Sequence, residues 1–100
     1  MQNICVVFDI GKTNKKILAF NESYEVVHEK QTSFPEILDD DGEACDDLLS
    51  LTNWLITEFD VVKNNPEFSI KGLNFSGYGA SLVHLDHQGK PIAPLYNYLK

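Results

Sequence analysis

Apolar residues change their spacing repeatedly along this chain, and each change marks an element. Ile4 to Phe8 is an unbroken apolar run with β-branched members, the pattern of a strand buried on both faces. It ends at Asp9, and Gly11 to Asn14 has turn chemistry. Ile17 to Phe20 is a second apolar run, closed by Asn21-Glu22-Ser23. From Tyr24 to Phe34 the residues alternate, Val27, Glu29 and Gln31 against His28, Lys30 and Thr32, as in a half-exposed strand. An antiparallel meander of three short strands is therefore expected at the start of the chain.

The period then lengthens. "PEILDDDGEACDD" reads as an acidic loop running into a helix start, with Asp40 and Glu43 at capping-box spacing. Asp39-Asp40-Asp41 reads as a solvated cap rather than a metal site. Ala44, Leu48, Leu51, Leu55, Phe59 and Val62 recur at three- and four-residue steps, the signature of an amphipathic helix, and Asn64-Asn65-Pro66 stops it. Ile70 to Phe75 is expected to return as a strand beside the first, with the helix as a right-handed crossover. Ser76-Gly77-Tyr78-Gly79 breaks that strand. Leu82 to Leu85 and Pro91 to Leu95 flank "DHQGK", where Gly89 closes a hairpin turn. The fold class is α/β with a mixed sheet: meander, crossover helix, returning strand and hairpin.

Composition narrows the function classes. One hundred residues, 43% of them hydrophobic, suffice for one domain with one core. A net charge of −7 argues against a nucleic-acid backbone or an anionic membrane as partner. It leaves room for a nucleotide, since a few local amides and cations outweigh a global charge. Cys5 and Cys45 stand apart, with no C-x-x-C and no histidine cluster, and read as reduced, packed cysteines of a cytoplasmic protein. The first residues carry no signal-peptide pattern and no membrane span.

Gly11-Lys12-Thr13 looks like the end of a Walker A loop. Such a loop needs a glycine five residues earlier, where Val6 stands, and a helix directly after it, where a second strand is expected. A strand–turn–strand phosphate clamp fits better. Asp9, at the mouth of the first strand, can face a hydrated Mg²⁺ through water. Gly11 permits a tight turn and a close phosphate approach. The amides of residues 11 to 14 can form an anion-binding nest, with Thr13 and Asn14 side chains as further donors. Lys12, Lys15 and Lys16 put three of the chain's eight basic residues in five positions.

"FDIGKTNKKILAF" and "LNFSGYGASLVHLDHQGKPIAP" together resemble the N-terminal part of the FGGY family of carbohydrate kinases. Asp9, Gly11 and Thr13 match that family's first phosphate motif, and Lys16 falls where its basic residue is expected. The second stretch is similar to the family's later strand, Gly-rich sugar-side loop and Leu-Asp-x-x-Gly hairpin ending in Pro. The resemblance implies an actin-like, ribonuclease H-like fold and ATP-dependent, Mg²⁺-assisted phosphorylation of a sugar hydroxyl. It implies ATP and phosphate contacts from Asp9, Gly11, Lys12, Thr13, Asn14 and Lys16. Sugar contacts are implied from Gly77, Tyr78, Gly79 and Ser81.

Lys12 departs from the family, which usually has a small or hydroxyl residue there. Tyr78-Gly79 is nearer to the rhamnulose and fuculose kinase branch, which carries an acidic residue where Ser81 stands. The catalytic base, the adenine pocket, the second phosphate loop and the second lobe are all expected beyond Lys100, so residues 1–100 read as part of the first lobe, inactive alone. An actin-like ATPase without a sugar substrate would share the Asp9 loop. A ribonuclease H-like nuclease would end the later strand in Asp or Glu, where Ser76 stands.

Overall fold

The computed structural model describes residues 1–79 and 81–96. The elements run β1 (Gln2–Ile10), β2 (Lys15–Phe20), β3 (Val26–Thr32), β4 (Ile37–Leu38), β5 (Ala44–Cys45), α1 (Leu48–Lys63) and β6 (Phe68–Gly77). β1, β2 and β3 form the expected antiparallel meander, with Phe8 opposite Ile17 and Ile17 opposite Lys30. β6 returns parallel to β1, giving the sheet order β3-β2-β1-β6, with α1 as the crossover. Its outer edge is unpaired among the described residues, and Leu73 and Phe75 on it are exposed.

The core lies on one face. Ile4, Val6 and Phe8 from β1, Ile17 and Ala19 from β2, and Val62 from α1 are buried together, with Trp54, Leu55, Phe59, Phe68 and Ile70 packed around them. Phe8 stacks on Phe75 at 5.3 Å and meets Trp54 edge-on at 6.2 Å. Each large side chain buried here contributes about 1.5–3 kcal/mol.

The expectation that β1 is buried on both faces is corrected. Asn3, Cys5 and Asp9 are exposed and Val7 is only partly covered, because one helix lies against the sheet among the described residues. The expectation of two packed cysteines therefore holds for Cys45, which is buried, and fails for Cys5, which is exposed; neither forms a disulfide among the described residues.

The acidic stretch is also more ordered than its composition implies. It folds into the β4–β5 hairpin, so Ala44 belongs to a strand and α1 starts later than its apolar period suggests. Asp40 is not the helix cap. Asp47 is: its carboxylate accepts from the Ser50 amide at 3.0 Å and from Ser50 Oγ at 2.7 Å. Asp47 competes successfully because Asp39 holds the preceding residues in a turn.

That turn recurs three times with one pattern. Asn21, Asp39 and Asp86 each accept through Oδ1 from the amides two and four residues on. In each, the residue three positions on has a positive φ: Tyr24 at 63°, Gly42 at 83° and Gly89 at 81°. The third turn is the hairpin expected at Gly89. Its arms meet through a single Leu85–Pro91 bridge rather than through strands, since proline offers no N–H to a ladder.

Candidate functional site

β1 and β6 run parallel, so their C-terminal ends open on the same side of the sheet, where ligands of open α/β sheets bind. The turn after β1 and the loop after β6 meet there, the Tyr78 amide donating to the Ile10 carbonyl at 3.2 Å.

The first turn is tight. The Gly11 amide donates to the Asn14 carbonyl at 2.8 Å, and a Cβ on Gly11 would lie 2.9 Å from that oxygen. Only glycine fits without moving backbone, which explains Gly11 on steric grounds. The Gly11 amide is thus engaged within the turn and is withdrawn from the anion nest expected of residues 11 to 14. Asp9, Thr13 and Asn14 are exposed. Asp9 lies opposite Lys16 on β2 and Ser76 on β6.

Alternation then divides the lysines. Lys16 faces the same side of the sheet as Asp9. Lys15 has the parity of Ile17 and Ala19, so its stem enters the core side and only 6% of the residue is exposed. Its ammonium donates to the Lys12 carbonyl at 3.2 Å.

The second loop is held by side chains together with one isolated antiparallel bridge between Asp46 and Leu95. Tyr78 Oη donates to Asp46 Oδ2 at 2.5 Å, and burial followed by that bond pushes the phenol far above its usual range. The Asp46 amide donates to the Leu95 carbonyl at 2.6 Å, and Ser81 Oγ donates to the Tyr96 carbonyl at 3.2 Å. Tyr96 Oη donates to Asp39 Oδ2 at 2.5 Å. Asp39, read as part of a solvated cap, is therefore an anchor for Tyr96.

Between these parts lies a cavity of about 200 Å³, whose lining includes Lys15, Asp46, Asp47, Gly77, Tyr78 and Ser81. Three of the four expected sugar-loop residues line it. Gly79 is exposed, and a Cβ there would meet nothing within 4 Å. Lys15 and Asp46 were missed as site residues. Lys15's period-two parity was a readable signal; Asp46 was one carboxylate in an acidic run.

Among the described residues, no three His, Cys, Asp or Glu side chains cluster to hold a metal ion. An exposed Asp9 carboxylate at a strand end fits a hydrated Mg²⁺ held through water, for which one or two carboxylates suffice. No described helix is long and apolar enough to cross a membrane.

The mixed sheet with its crossover helix is the start of an actin-like ATPase fold, as three solved structures show. The gluconate kinase from Lactobacillus acidophilus superposes with a TM-score of 0.75 at 18% identity, over 96% of this chain and 20% of that one. The Plasmodium falciparum glycerol kinase with ADP gives 0.74 at 18% identity, over 99% and 21%. A xylulose kinase from Lactobacillus acidophilus also gives 0.74 at 18% identity, over 94% and 19%. Residues 4–98 match the N-terminal domain of the FGGY family of carbohydrate kinases, and the chain belongs to that family. In sequence it is 27% identical over 95 residues to the gluconokinase of Bacillus subtilis, covering 94% of this chain and 18% of that protein. The chain thus spans about a fifth of the length of these relatives.

Proposed function

We propose that the complete protein transfers a phosphoryl group from ATP to a hydroxyl of a ketose or polyol in the cytoplasm. Residues 1–100 would supply the first phosphate loop and part of the sugar site. The observation that carries this reading is the junction of the two loops, where the Tyr78 amide meets the Ile10 carbonyl between the Gly11 turn and the cavity. Phosphoryl transfer depends chiefly on positioning and charge neutralisation. Asp9 would hold a hydrated Mg²⁺, which neutralises phosphate charge when bound. Lys12, Thr13, Asn14 and Lys16 would receive phosphate oxygens at the turn. Gly77, Tyr78, Gly79 and Ser81 would line the sugar side.

The base that takes the hydroxyl proton belongs, in this reading, to the remainder of the protein, as do the adenine pocket and second lobe. Tyr78-Gly79 favours a deoxy sugar of the rhamnulose or fuculose type, whose methyl would rest on the tyrosine ring.

In the complete protein, Tyr78→Ala and Ser81→Ala should raise KM for the sugar and leave KM for ATP nearly unchanged. Loss of stability with an unaltered sugar KM would place the sugar elsewhere. ATP hydrolysis without any sugar dependence would favour an actin-like ATPase of mechanical or regulatory role.

A further inference from the structure

Lys15 is the one buried lysine among the described residues, 6% exposed, beside a cavity rather than in solvent. Burying an ammonium is costly unless oxygens surround it. It has three N–H donors, and among the described residues one hydrogen bond is made, to the Lys12 carbonyl at 3.2 Å. The cavity that Lys15 lines has room for roughly six waters at their liquid volume. Oxygen-bearing groups in that cavity are what the remaining donors lack.

The other polar groups of the cavity limit what those oxygens belong to. Asp46 and Asp47 also line it, so carboxylates outnumber the single ammonium. Asp47 is occupied in capping α1, and Asp46 Oδ2 accepts from Tyr78. An anionic ligand would meet net negative charge at close range, a like-charge contact that costs affinity. A hydroxyl suits both sides, accepting from Lys15 and donating to Asp46.

We infer that Lys15 is a specificity-determining residue: its ammonium donates to a hydroxyl of a neutral sugar in this cavity while its bond to Lys12 ties the occupied cavity to the phosphate turn. This rests on the sugar-kinase reading and adds a residue, a charge class and a coupling to it. Aldonic acids are disfavoured as substrates. Sugar in the cavity fixes Nζ, and Nζ fixes the Lys12 carbonyl, so each substrate tightens the site of the other.

The test uses the complete protein. Lys15→Met keeps the stem that packs beside Ile17 and removes the donors. It should raise the sugar KM about tenfold or more, the equivalent of one lost charged hydrogen bond. It should also abolish the lowering of ATP KM by saturating sugar. A neutral ketose should be preferred over the aldonic acid of the same carbon number by wild type. A lower Tm with unchanged sugar and ATP KM would make Lys15 a structural strut and overturn the inference. So would a preference for the acid.

A crystal structure of wild-type protein with the neutral sugar provides a second measurement that needs no variant. Nζ within hydrogen-bond distance of a sugar oxygen supports the assignment, and a sugar bound out of its reach rejects it. If wild type phosphorylates no sugar at all, the proposed function fails. If it phosphorylates sugars while Lys15→Met behaves as wild type, only this inference does.

Discussion

Asp9 and Lys16 stand directly opposite each other across the β1–β2 ladder, on the face of the sheet that α1 leaves uncovered. A carboxylate and an ammonium thus flank the base of the Gly11 turn, each at a strand end and neither in the core. Their charges are available to a ligand at the turn.

Asp9→Asn in the complete protein should therefore lower Mg²⁺-dependent kcat by about 100-fold or more, a loss typical of removing one group aimed at developing charge. Thermal unfolding should hardly change, because Asp9 is exposed. Activity within a few-fold of wild type would reduce Asp9 to a turn former.

Lys16→Ala should raise the ATP KM more than Lys12→Ala does. Lys16 shares the Asp9 face, whereas Lys12 contributes its carbonyl to Lys15 through backbone that alanine retains. The reverse order in steady-state kinetics would show that the Lys12 side chain carries the phosphate contact.

The Tyr96–Asp39 bond sets a pH window. The Tyr96 hydroxyl, then the Glu43 amide, hold the Asp39 carboxyl below 3.8; the Asp39 bond, with some desolvation, pushes the Tyr96 phenol from 10.0 to about 12. A lowered carboxyl gives stability that is complete above 3.8 and lost as pH falls through its folded value. A raised phenol gives stability that is complete below 10.0 and lost as pH rises through its folded value. Tyr96→Phe should lower the urea midpoint evenly between those limits and match wild type outside them. Tyr96 is exposed and Asp39 only half-buried, so the effect is small. Trp54 fluorescence can follow the transition. A difference that persists in strong acid would point to packing instead.

Much of this fold is written in side-chain period. The three- and four-residue steps of α1 arise from packing against one face, so sequence reports them; the alternation of β3 is not repeated in its burial, since Lys30, opposite the buried Ile17, is exposed. β4 and β5 escape because two-residue strands have no period to read; they exist through the Asp39 turn and the Tyr96 bond, the latter 57 residues apart in sequence. The uncovered face of β1 was misread for a related reason. Val7 and Cys5 record a side chain's chemistry, not which layers lie nearby. In the site, Gly11 was legible because sterics demand glycine, while Asp46 acquires its role from Tyr78, 32 residues away.

Tyr24 is the non-glycine member of the three matching turns, at φ 63° and 87% exposed. The left-handed conformation costs an L-residue roughly 1–2 kcal/mol, and glycine's greater chain entropy returns part of that. Tyr24→Gly should stabilise by about 0.5 kcal/mol and raise Tm by about 2–4 °C. Gly42→Ala and Gly89→Ala should do the opposite, although a Cβ at either meets nothing within 4 Å. Calorimetry showing Tyr24→Gly less stable would mean that the ring contributes contacts.

The unpaired edge of β6 has a colloidal consequence. The outward-pointing backbone donors and acceptors of β6, about half of those along its ten residues because the rest pair with β1, form a template for a further strand, with Leu73 and Phe75 exposed beside them. Among the described residues no further strand lies against that edge, so in the isolated chain a second copy can supply it. Light scattering of the isolated chain should rise steeply with concentration, and Leu73→Lys should suppress it by placing charge along the seam. A longer polypeptide that lays its own strand against β6 would be spared, so solubility itself becomes a readout of whether that edge has found its neighbour.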